Sequence, residues 1–349
     1  MPKLRVGILC GGQSSEHEIS CISAGGIMGA IDRDRFEPVL IGITRAGTWV
    51  LLDQAAKLEI IDGKLPEIDP SLPVITADIH GFSVNGDPLN LDLVFPILHG
   101  PYGEDGTIQG MCEVAGIRYV GSGVLASAVA MDKSFAKPIF ASHGLQVADG
   151  TVLVSGEWSA QQIAHLSYPL FVKPARSGSS RGTSKVKSFD TLLKAIEYAF
   201  EYDTKILVES AINGREIECA VLEIAGTPHA SPVGEIKILG NHEFYDFEAK
   251  YLDDATEVVF PQDLPAGVEA QIQAAAMLAF KALGCEGLAR VDFFYTDQGE
   301  IIINELNTMP GFTPTSMYPK LWSRGGRTYS EIISALIDAA LIRSAHVTR

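Results

Sequence analysis

The sequence predicts a mixed α/β protein divided into three domains. In the first third of the chain, strand-like runs such as "LRVGILCGG" alternate with helical stretches such as "SCISAGGIMGAI". That alternation is typical of a parallel sheet with helices packed on it. Farther along, a strand passes through a Gly/Ser loop into another strand, and a later segment reads as a hairpin. With 349 residues, 46% of them hydrophobic, the chain is long enough for two or three cores.

The simplest division places the domains at residues 1–121, 122–208 and 209–349. The first is the parallel-sheet domain, and its Pro-, Gly- and Asp-rich stretch at about 53–90 is expected to form short hairpins. The second carries a helical pattern followed by "PLFVKPARSGSSRGTSKV". The third carries strands, one long helix and the hairpin.

The composition excludes several classes of partner. A net charge of -16, from 27 basic and 43 acidic residues, repels nucleic acid and anionic lipid alike. The longest apolar runs are strand-sized, short of the ~20 residues of a membrane-spanning helix. We therefore expect a cytoplasmic protein. The five cysteines show no C-x-x-C spacing, so neither a disulfide framework nor a zinc site is indicated.

The segment "GLARVDFFYTDQGEIIINELN" predicts a hairpin with polar groups at one end. A turn at residues 298 and 299 places Asp292 opposite Glu305. The same register places Arg290 opposite Asn307. Two carboxylates and an amide oxygen suit Mg²⁺, and the arginine suits a developing phosphoryl or oxyanion charge. A purely structural ion pair of Arg290 is the alternative interpretation.

The Gly/Ser loop after Lys173 is a candidate phosphate site, although a surface turn is the alternative and no Walker A spacing occurs. Lys173 emerges from an apolar strand, and "AMDKS" supplies another lysine, Lys133. Glu209 in "LVES" and Glu216 in "GREIE" are candidate hydrogen-bond acceptors for an adenine amine and ribose hydroxyls, and for each one taken singly a solvated strand end is the alternative.

Two Gly-rich elbows follow strands of the first domain. "ILCGGQSSEHEIS" lacks the G-x-G-x-x-G spacing of a dinucleotide site, and a serine at 14 or 15 is expected to cap its helix. Glu16 then lies in the crevice where open α/β sheets bind ligands. The second elbow, "FPILHGPYGEDG", places His99 and Glu104 at the carboxyl end of another apolar strand. A carboxylate at each elbow suits recognition of an amine, while a structural role is equally compatible with His99.

Taken together, the motifs resemble those of the ATP-grasp ligases, and among them the D-alanine:D-alanine ligases of bacterial cell-wall synthesis. The resemblance covers almost the whole chain, through "GGQSSEHEIS", "HGPYGEDGTIQG", "MDK", "FVKPARSGSSRG", "LVES", "GREIE", "YDFEAKY", "ARVDFF" and "INELNTMPGFTPTSM". It implies a three-domain ATP-grasp fold. It also implies an ADP-forming ligation of two D-alanines through a D-alanyl phosphate, for peptidoglycan precursors, by a homodimer.

The resemblance assigns the ATP and metal ligands. ATP would be held by Lys133, Lys173, Ser179, Glu209, Glu216 and, from a loop at 241–254, Lys250. Two Mg²⁺ ions, or Mn²⁺, would be bound by Asp292, Glu305 and Asn307. A monovalent cation such as K⁺ is a further candidate.

The resemblance also assigns the substrate side. Glu16, held by Ser179 and Tyr251, would bind the first D-alanine's amino group, with His99 and Glu104 nearby. Arg290 and the Gly311 amide would stabilise the oxyanion. The acceptor's carboxylate would be received by Ser316 and Met317.

One position departs from the resemblance, since Arg181 stands where these ligases usually carry a small apolar residue. Three alternatives remain open. The first is an ATP-grasp ligase with D-lactate or D-serine as the acceptor, although Tyr251 favours the dipeptide. The second is a non-catalytic nucleotide-binding module, and the third is a Rossmann oxidoreductase, suggested by the N-terminal glycines alone.

Overall fold

Four sheets organise the computed structural model, which describes residues 2–178, 180–238 and 256–343. The strands are β1 (Leu4–Gly11), β2 (Phe36–Ile43), β3 (Trp49–Leu51), β4 (Ile75–Asp78), β5 (Gly81–Val84), β6 (Asp87–Pro88), β7 (Leu93–Pro96), β8 (Arg118–Tyr119), β9 (Gln146–Val147), β10 (Gly150–Val154), β11 (Leu170–Pro174), β12 (Ser184–Val186), β13 (Lys205–Ser210), β14 (Gly214–Ile224), β15 (Thr227–Ile238), β16 (Thr256–Val259), β17 (Leu288–Thr296) and β18 (Ile301–Asn307).

The helices within those ranges alternate with the strands. They are α1 (His17–Ala30), α2 (Thr107–Ala115), α3 (Val124–Met131), α4 (Lys133–Ser142), α5 (Phe189–Phe200), α6 (Val268–Ala282), α7 (Met317–Arg324) and α8 (Tyr329–Ile342), with a 3-10 turn at Ala160–Ile163. None of these helices is long and apolar enough to cross a membrane.

The N-terminal sheet has the order β3-β2-β1-β7-β8. Its strands are parallel except for β3, which pairs with β2 in the antiparallel direction. The predicted parallel sheet is therefore confirmed. The predicted hairpins at about 53–90 are confirmed in part of that stretch, where β4, β5 and β6 form a small antiparallel sheet.

Two larger sheets form the rest of the molecule. An antiparallel sheet of order β10-β13-β11-β12 packs against α5. A six-stranded sheet of order β16-β15-β14-β17-β18-β9 is antiparallel apart from the β18–β9 pair. Buried residues of α3 and α4 share a core with this sheet, so the segment before β10 associates with the C-terminal strands. The three-domain division stays a prediction.

An aromatic cluster joins the N-terminal sheet to the C-terminal region. Phe312 is fully buried, and its ring centroid lies 5.9 Å from that of Phe95 on β7. The same ring lies 5.7 Å from Tyr318 and 5.4 Å from Tyr329. Since both regions bury apolar area on one ring, they share one hydrophobic core.

Replacing Phe312 with alanine should lower the free energy of unfolding by about 3–5 kcal/mol, because the removed ring leaves a cavity between the two regions. The midpoint of a urea titration measures the effect. Phe189→Ala is the matched control, because Phe189 is 55% exposed. Equal midpoints for the two variants would contradict the shared core.

Candidate active site

The hairpin of β17 and β18 brings the predicted polar groups together. Asp292 pairs with Glu305, and Arg290 pairs with Asn307, which confirms the predicted register at this end. The predicted two-residue turn is wrong, because Tyr295 pairs with Ile301, one residue out of that register. A bulge opposite the step from Asp292 to Phe293 restores the pairing.

The bulge gives β18 an extra residue, Asn304. Because alternation breaks there, Asn304 and Glu305 both line the same cleft, although neighbouring strand residues normally face opposite ways. Nothing in the apolar run "EIIINELN" marks this position, so sequence reasoning missed Asn304.

Arg290 holds the centre of the hairpin through charge-assisted contacts. Its Nε and Nη2 donate to the two oxygens of Asp292 at 2.7 and 2.6 Å, and Nε also lies 3.0 Å from Glu218 of β14. Burial alone favours loss of the proton, but Asp292 and Glu218 hold the pKa of Arg290 above its ordinary range. Asn307 donates to Asp292 at 3.1 Å. Sequence reasoning also missed Glu218.

Lys133 connects the hairpin to the Gly/Ser loop. Its Nζ lies 3.0 Å from Glu305 and donates to the carbonyl oxygen of Ser177 at 3.1 Å. The preceding Asp132 caps α4 by accepting a hydrogen bond from Ser134, and it pairs with Lys205 on β13. The "MDKS" motif is thus a helix start that places Lys133 between two walls of the cleft.

The cleft lies between the four-stranded and six-stranded sheets. Its charged and polar lining residues include Lys133, Lys137, Lys173, Ser177, Ser180, Glu209, Glu216, Glu218, Arg290, Asp292, Asn304 and Glu305. The structure therefore brings the predicted ATP-binding side chains within the described ranges into one cleft with the hairpin. Lys137 was missed, although it lies one helical turn from Lys133 and shares its face.

The first elbow differs from its predicted capping. Glu16 occupies the N-cap position of α1 without a side-chain capping bond, so the expected serine cap is wrong. Ser14 instead donates its hydroxyl to the carbonyl oxygen of His99 at 2.7 Å and accepts from the Glu16 amide at 3.1 Å. The Ser14 hydroxyl therefore bonds to the second elbow, whereas the local sequence predicted that it would cap the helix.

The second elbow is attached to Met309, which follows β18. The His99 Nδ1–H donates to the Met309 carbonyl oxygen at 3.1 Å, and its Nε2 lies 3.2 Å from the Ser23 hydroxyl. Glu104 accepts from the Met309 amide at 3.3 Å and from the Gly100 amide at 2.6 Å. Burial, and next the charge of Glu16, raise the pKa of Glu104 to about 8.

Glu16 lies where both elbows meet the Gly/Ser loop. A Cβ built on Gly100, which has φ +73°, would lie 3.0 Å from Glu16 Oε2, and one on Gly178 would lie 3.5 Å from it. Glycine at these positions leaves space beside the carboxylate. A small cavity there is lined by Glu104, Lys133, Gly178, Glu305 and Asn307, among others. The predicted substrate and metal residues thus adjoin each other.

The loop before α7 carries the predicted acceptor residues. Ser316 occupies the N-cap position of α7, and its hydroxyl accepts from the Thr313 amide at 3.1 Å. A Cβ on Gly311 would lie 3.2 Å from the Ser316 hydroxyl. The Met317 side chain is buried in the core, so its backbone amide at the helix start is the group suited to an anion.

Three predicted residues, Ser179, Lys250 and Tyr251, lie outside the described residues, as does the 241–254 loop. Arg181 is half-buried in the Gly/Ser loop, and its amide donates to the Gly178 carbonyl at 3.4 Å.

The hairpin's oxygen donors fit Mg²⁺ better than a softer metal. Asp292 and Glu305 face each other across the ladder, with Asn307 adjacent. Within the described ranges, no group of three or more His, Cys, Asp or Glu side chains is placed to hold a metal. Two carboxylates and an amide leave coordination positions for phosphate oxygens and water, as Mg²⁺ sites usually do.

Comparison with known proteins identifies the family. Residues 5–122 match the family model of the D-ala D-ala ligase N-terminus, and residues 139–338 match that of the D-ala D-ala ligase C-terminus. The D-alanine--D-alanine ligase of Pseudarthrobacter chlorophenolicus is 50% identical, over 98% of this chain and 95% of the relative.

Solved structures agree with these matches. The VanG D-Ala:D-Ser ligase from Enterococcus faecalis aligns with a TM-score of 0.86 and 38% identity, covering 97% of this chain and 100% of that one. The D-alanine--D-alanine ligase from Bacillus anthracis complexed with ATP aligns at a TM-score of 0.73 and 28% identity, covering 97% of each chain. The chain therefore belongs to the D-alanine–D-alanine ligase family and has its ATP-grasp fold.

Proposed function

We propose that this chain ligates two D-alanines to D-alanyl-D-alanine, consuming ATP and releasing ADP and phosphate, for peptidoglycan precursors. One observation carries the proposal. The cleft joins the two described lysines of the predicted phosphate side, Lys133 and Lys173, to the Asp292–Glu305 hairpin, and Glu16 lies at the junction with both elbows. Relatives about 50% identical over the whole chain bear the same activity in their names.

In the first step, the carboxylate of one D-alanine attacks the γ-phosphate of ATP, giving a D-alanyl phosphate and ADP. Glu16 would bind that substrate's ammonium group, and Lys133 and Lys173 would contact the phosphates. Glu209 and Glu216 would orient the adenine and ribose. Ser179, Lys250 and Tyr251 would complete the site from outside the described residues.

Asp292, Glu305 and Asn307 would hold Mg²⁺, with Mn²⁺ as a substitute. When bound, the metal would neutralise part of the negative charge of the phosphates. The chain's own cations act beside it, because Lys133 contacts Glu305 and Arg290 contacts Asp292.

In the second step, the amine of the other D-alanine attacks the acyl phosphate carbon, and phosphate leaves. Arg290 and the Gly311 amide would stabilise the tetrahedral oxyanion. Ser316 and the Met317 amide, at the start of α7, would bind the acceptor's carboxylate, where helix amides and dipole both favour an anion.

His99 and Glu104 would act through position. They hold both backbone groups of one residue, since His99 donates to the Met309 carbonyl and Glu104 accepts from the Met309 amide. Through Met309 they would set the loop that carries Gly311. The homodimer, the cytoplasmic location and a monovalent cation such as K⁺ stay predictions.

Incubation with ATP, Mg²⁺ and D-alanine should release ADP and give D-alanyl-D-alanine as the main product. Coupled ADP detection measures turnover, and mass spectrometry identifies the product with D-alanine alone and with D-serine or D-lactate added. A dominant mixed product would show a different acceptor. Tight ATP binding without amino-acid-dependent turnover would support the non-catalytic alternative.

Asp292→Asn or Glu305→Gln should reduce turnover by about 100-fold or more, because each removes a charged oxygen ligand. Both variants should also need more Mg²⁺ for half-maximal rate, measured by titration at saturating ATP. Asp297→Asn, in the exposed turn of the same hairpin, is the control and should behave like the parent. An unchanged Mg²⁺ requirement in both site variants would exclude this metal site.

His99 should be neutral at pH 6.5, with its proton on Nδ1, because burial lowers its pKa despite the nearby Glu16. Imidazole ¹⁵N chemical shifts measure this state, with the signal assigned by its loss in His99→Gln. Since His99 takes up a proton below about pH 6.5 in the unfolded chain and not in the folded one, the stability difference between the parent and His99→Gln should shift against the parent as the pH drops through that value. A protonated His99 at pH 6.5 would contradict the positioning role.

A further inference from the structure

Lys137 is a buried cation that the reaction described above does not use. It lies on α4, one turn after Lys133, and only 7% of its side chain is exposed. Its Nζ lies 2.6 Å from Oε1 of Glu209, the carboxylate predicted to face adenine. Burying an ammonium group is costly unless it is paired and hydrogen-bonded, and Glu209 supplies that partner.

Glu209 is shared between two ammonium groups. Its second oxygen, Oε2, lies 2.8 Å from Lys173 Nζ, and its side chain is 5% exposed. Lys173 Nζ also donates to Asn304 Oδ1 at 3.1 Å. A line of contacts therefore runs from Lys137 through Glu209 and Lys173 to Asn304, joining α4, β13, β11 and β18.

These contacts orient Lys173. An ammonium group has three N–H donors, and two of them are directed at Glu209 and Asn304. The third is left for a ligand in the cleft, which Lys173 lines. If Glu209 had one partner instead of two, its full charge would act on Lys173 and compete with a phosphate.

The pKa values of Glu209 and Lys137 depend on burial and on the charged groups around them. Burial would raise the pKa of Glu209, but Lys137 and then Lys173 lower it to about 2. Burial lowers the pKa of Lys137 to about 8, against the opposing effect of Glu209 and with smaller effects of Lys173 and Lys133. The groups that act on Lys137 are thus Lys133 on its own helix, Glu209 on β13 and Lys173 on β11.

We propose that Lys137 is a positioning residue for ATP, which neutralises Glu209 so that Lys173 keeps one N–H donor and its charge for a phosphate group. The inference rests on the proposed use of ATP by this cleft. It assigns Lys137 no contact with the reacting atoms.

Lys137→Met should raise the KM for ATP and the Kd for ADP by about 10- to 100-fold, while the KM for D-alanine changes less than about twofold. Lys137→Arg keeps the charge and should restore most of the affinity. Lys194→Met, at an exposed position of α5, is the control. Calorimetry with ADP and Mg²⁺, and steady-state kinetics with ATP, measure the two constants.

The pH dependence of ADP affinity distinguishes this positioning role from a purely structural one. In the parent, ADP affinity should fall as the pH rises through about 8, because the neutral amine no longer offsets Glu209. In Lys137→Arg the fall near pH 8 should disappear, and in Lys137→Met the affinity should be low at every pH. Thermal melting of each variant shows whether the fold persists.

Two results would overturn the inference: an unchanged Kd for ADP in Lys137→Met, or the same fall near pH 8 in the parent and Lys137→Arg. ADP binding is measured without D-alanine. A protein that binds ADP as expected but forms no dipeptide would therefore refute the proposed function and leave the role of Lys137 supported.

Discussion

The pairing of β17 with β18 is the constraint on which the site depends. Side chains alternate along a strand, so a shift of one residue would turn Asp292 or Glu305 away from the cleft. The hairpin starts from its turn one residue out of the required register, and the bulge at Asn304 corrects it. The same bulge turns Asn304 toward Lys173. This one bulge thus fixes the positions of both carboxylates and of Asn304, which accepts a hydrogen bond from Lys173.

Charge balance explains why so many ionised groups can share one cleft. Lys133 contacts Glu305, and Arg290 contacts Asp292, so the hairpin carboxylates have cationic partners. A buried charge without a partner costs several kcal/mol, whereas exchange of one charged partner for another keeps the balance.

Patterns local to one element were predictable from sequence, and contacts between distant elements were not. The parallel sheet follows from the alternation of strand-like and helical segments. The Asp292–Glu305 pairing was predicted from a two-residue turn that the structure does not have, and it holds because the bulge at Asn304 compensates. The Ser14 cap was predicted wrongly, because the hydroxyl bonds His99 from another elbow. Lys137 was visible as a neighbour of Lys133 on the helix, but its partner, Glu209, lies about seventy positions away in the chain.

The N-terminal sheet and the four-stranded sheet meet the C-terminal region through different kinds of contact. Phe312 buries its ring against Phe95 of the N-terminal sheet, and His99 and Glu104 hold Met309. Separating that region would expose apolar area to water and break buried hydrogen bonds. The sheet that carries Lys173 meets the hairpin through a polar contact, the hydrogen bond from Lys173 to Asn304. The arrangement of the N-terminal sheet against the C-terminal region therefore depends on buried apolar area, whereas that of the sheet carrying Lys173 against the hairpin depends on polar and charged contacts.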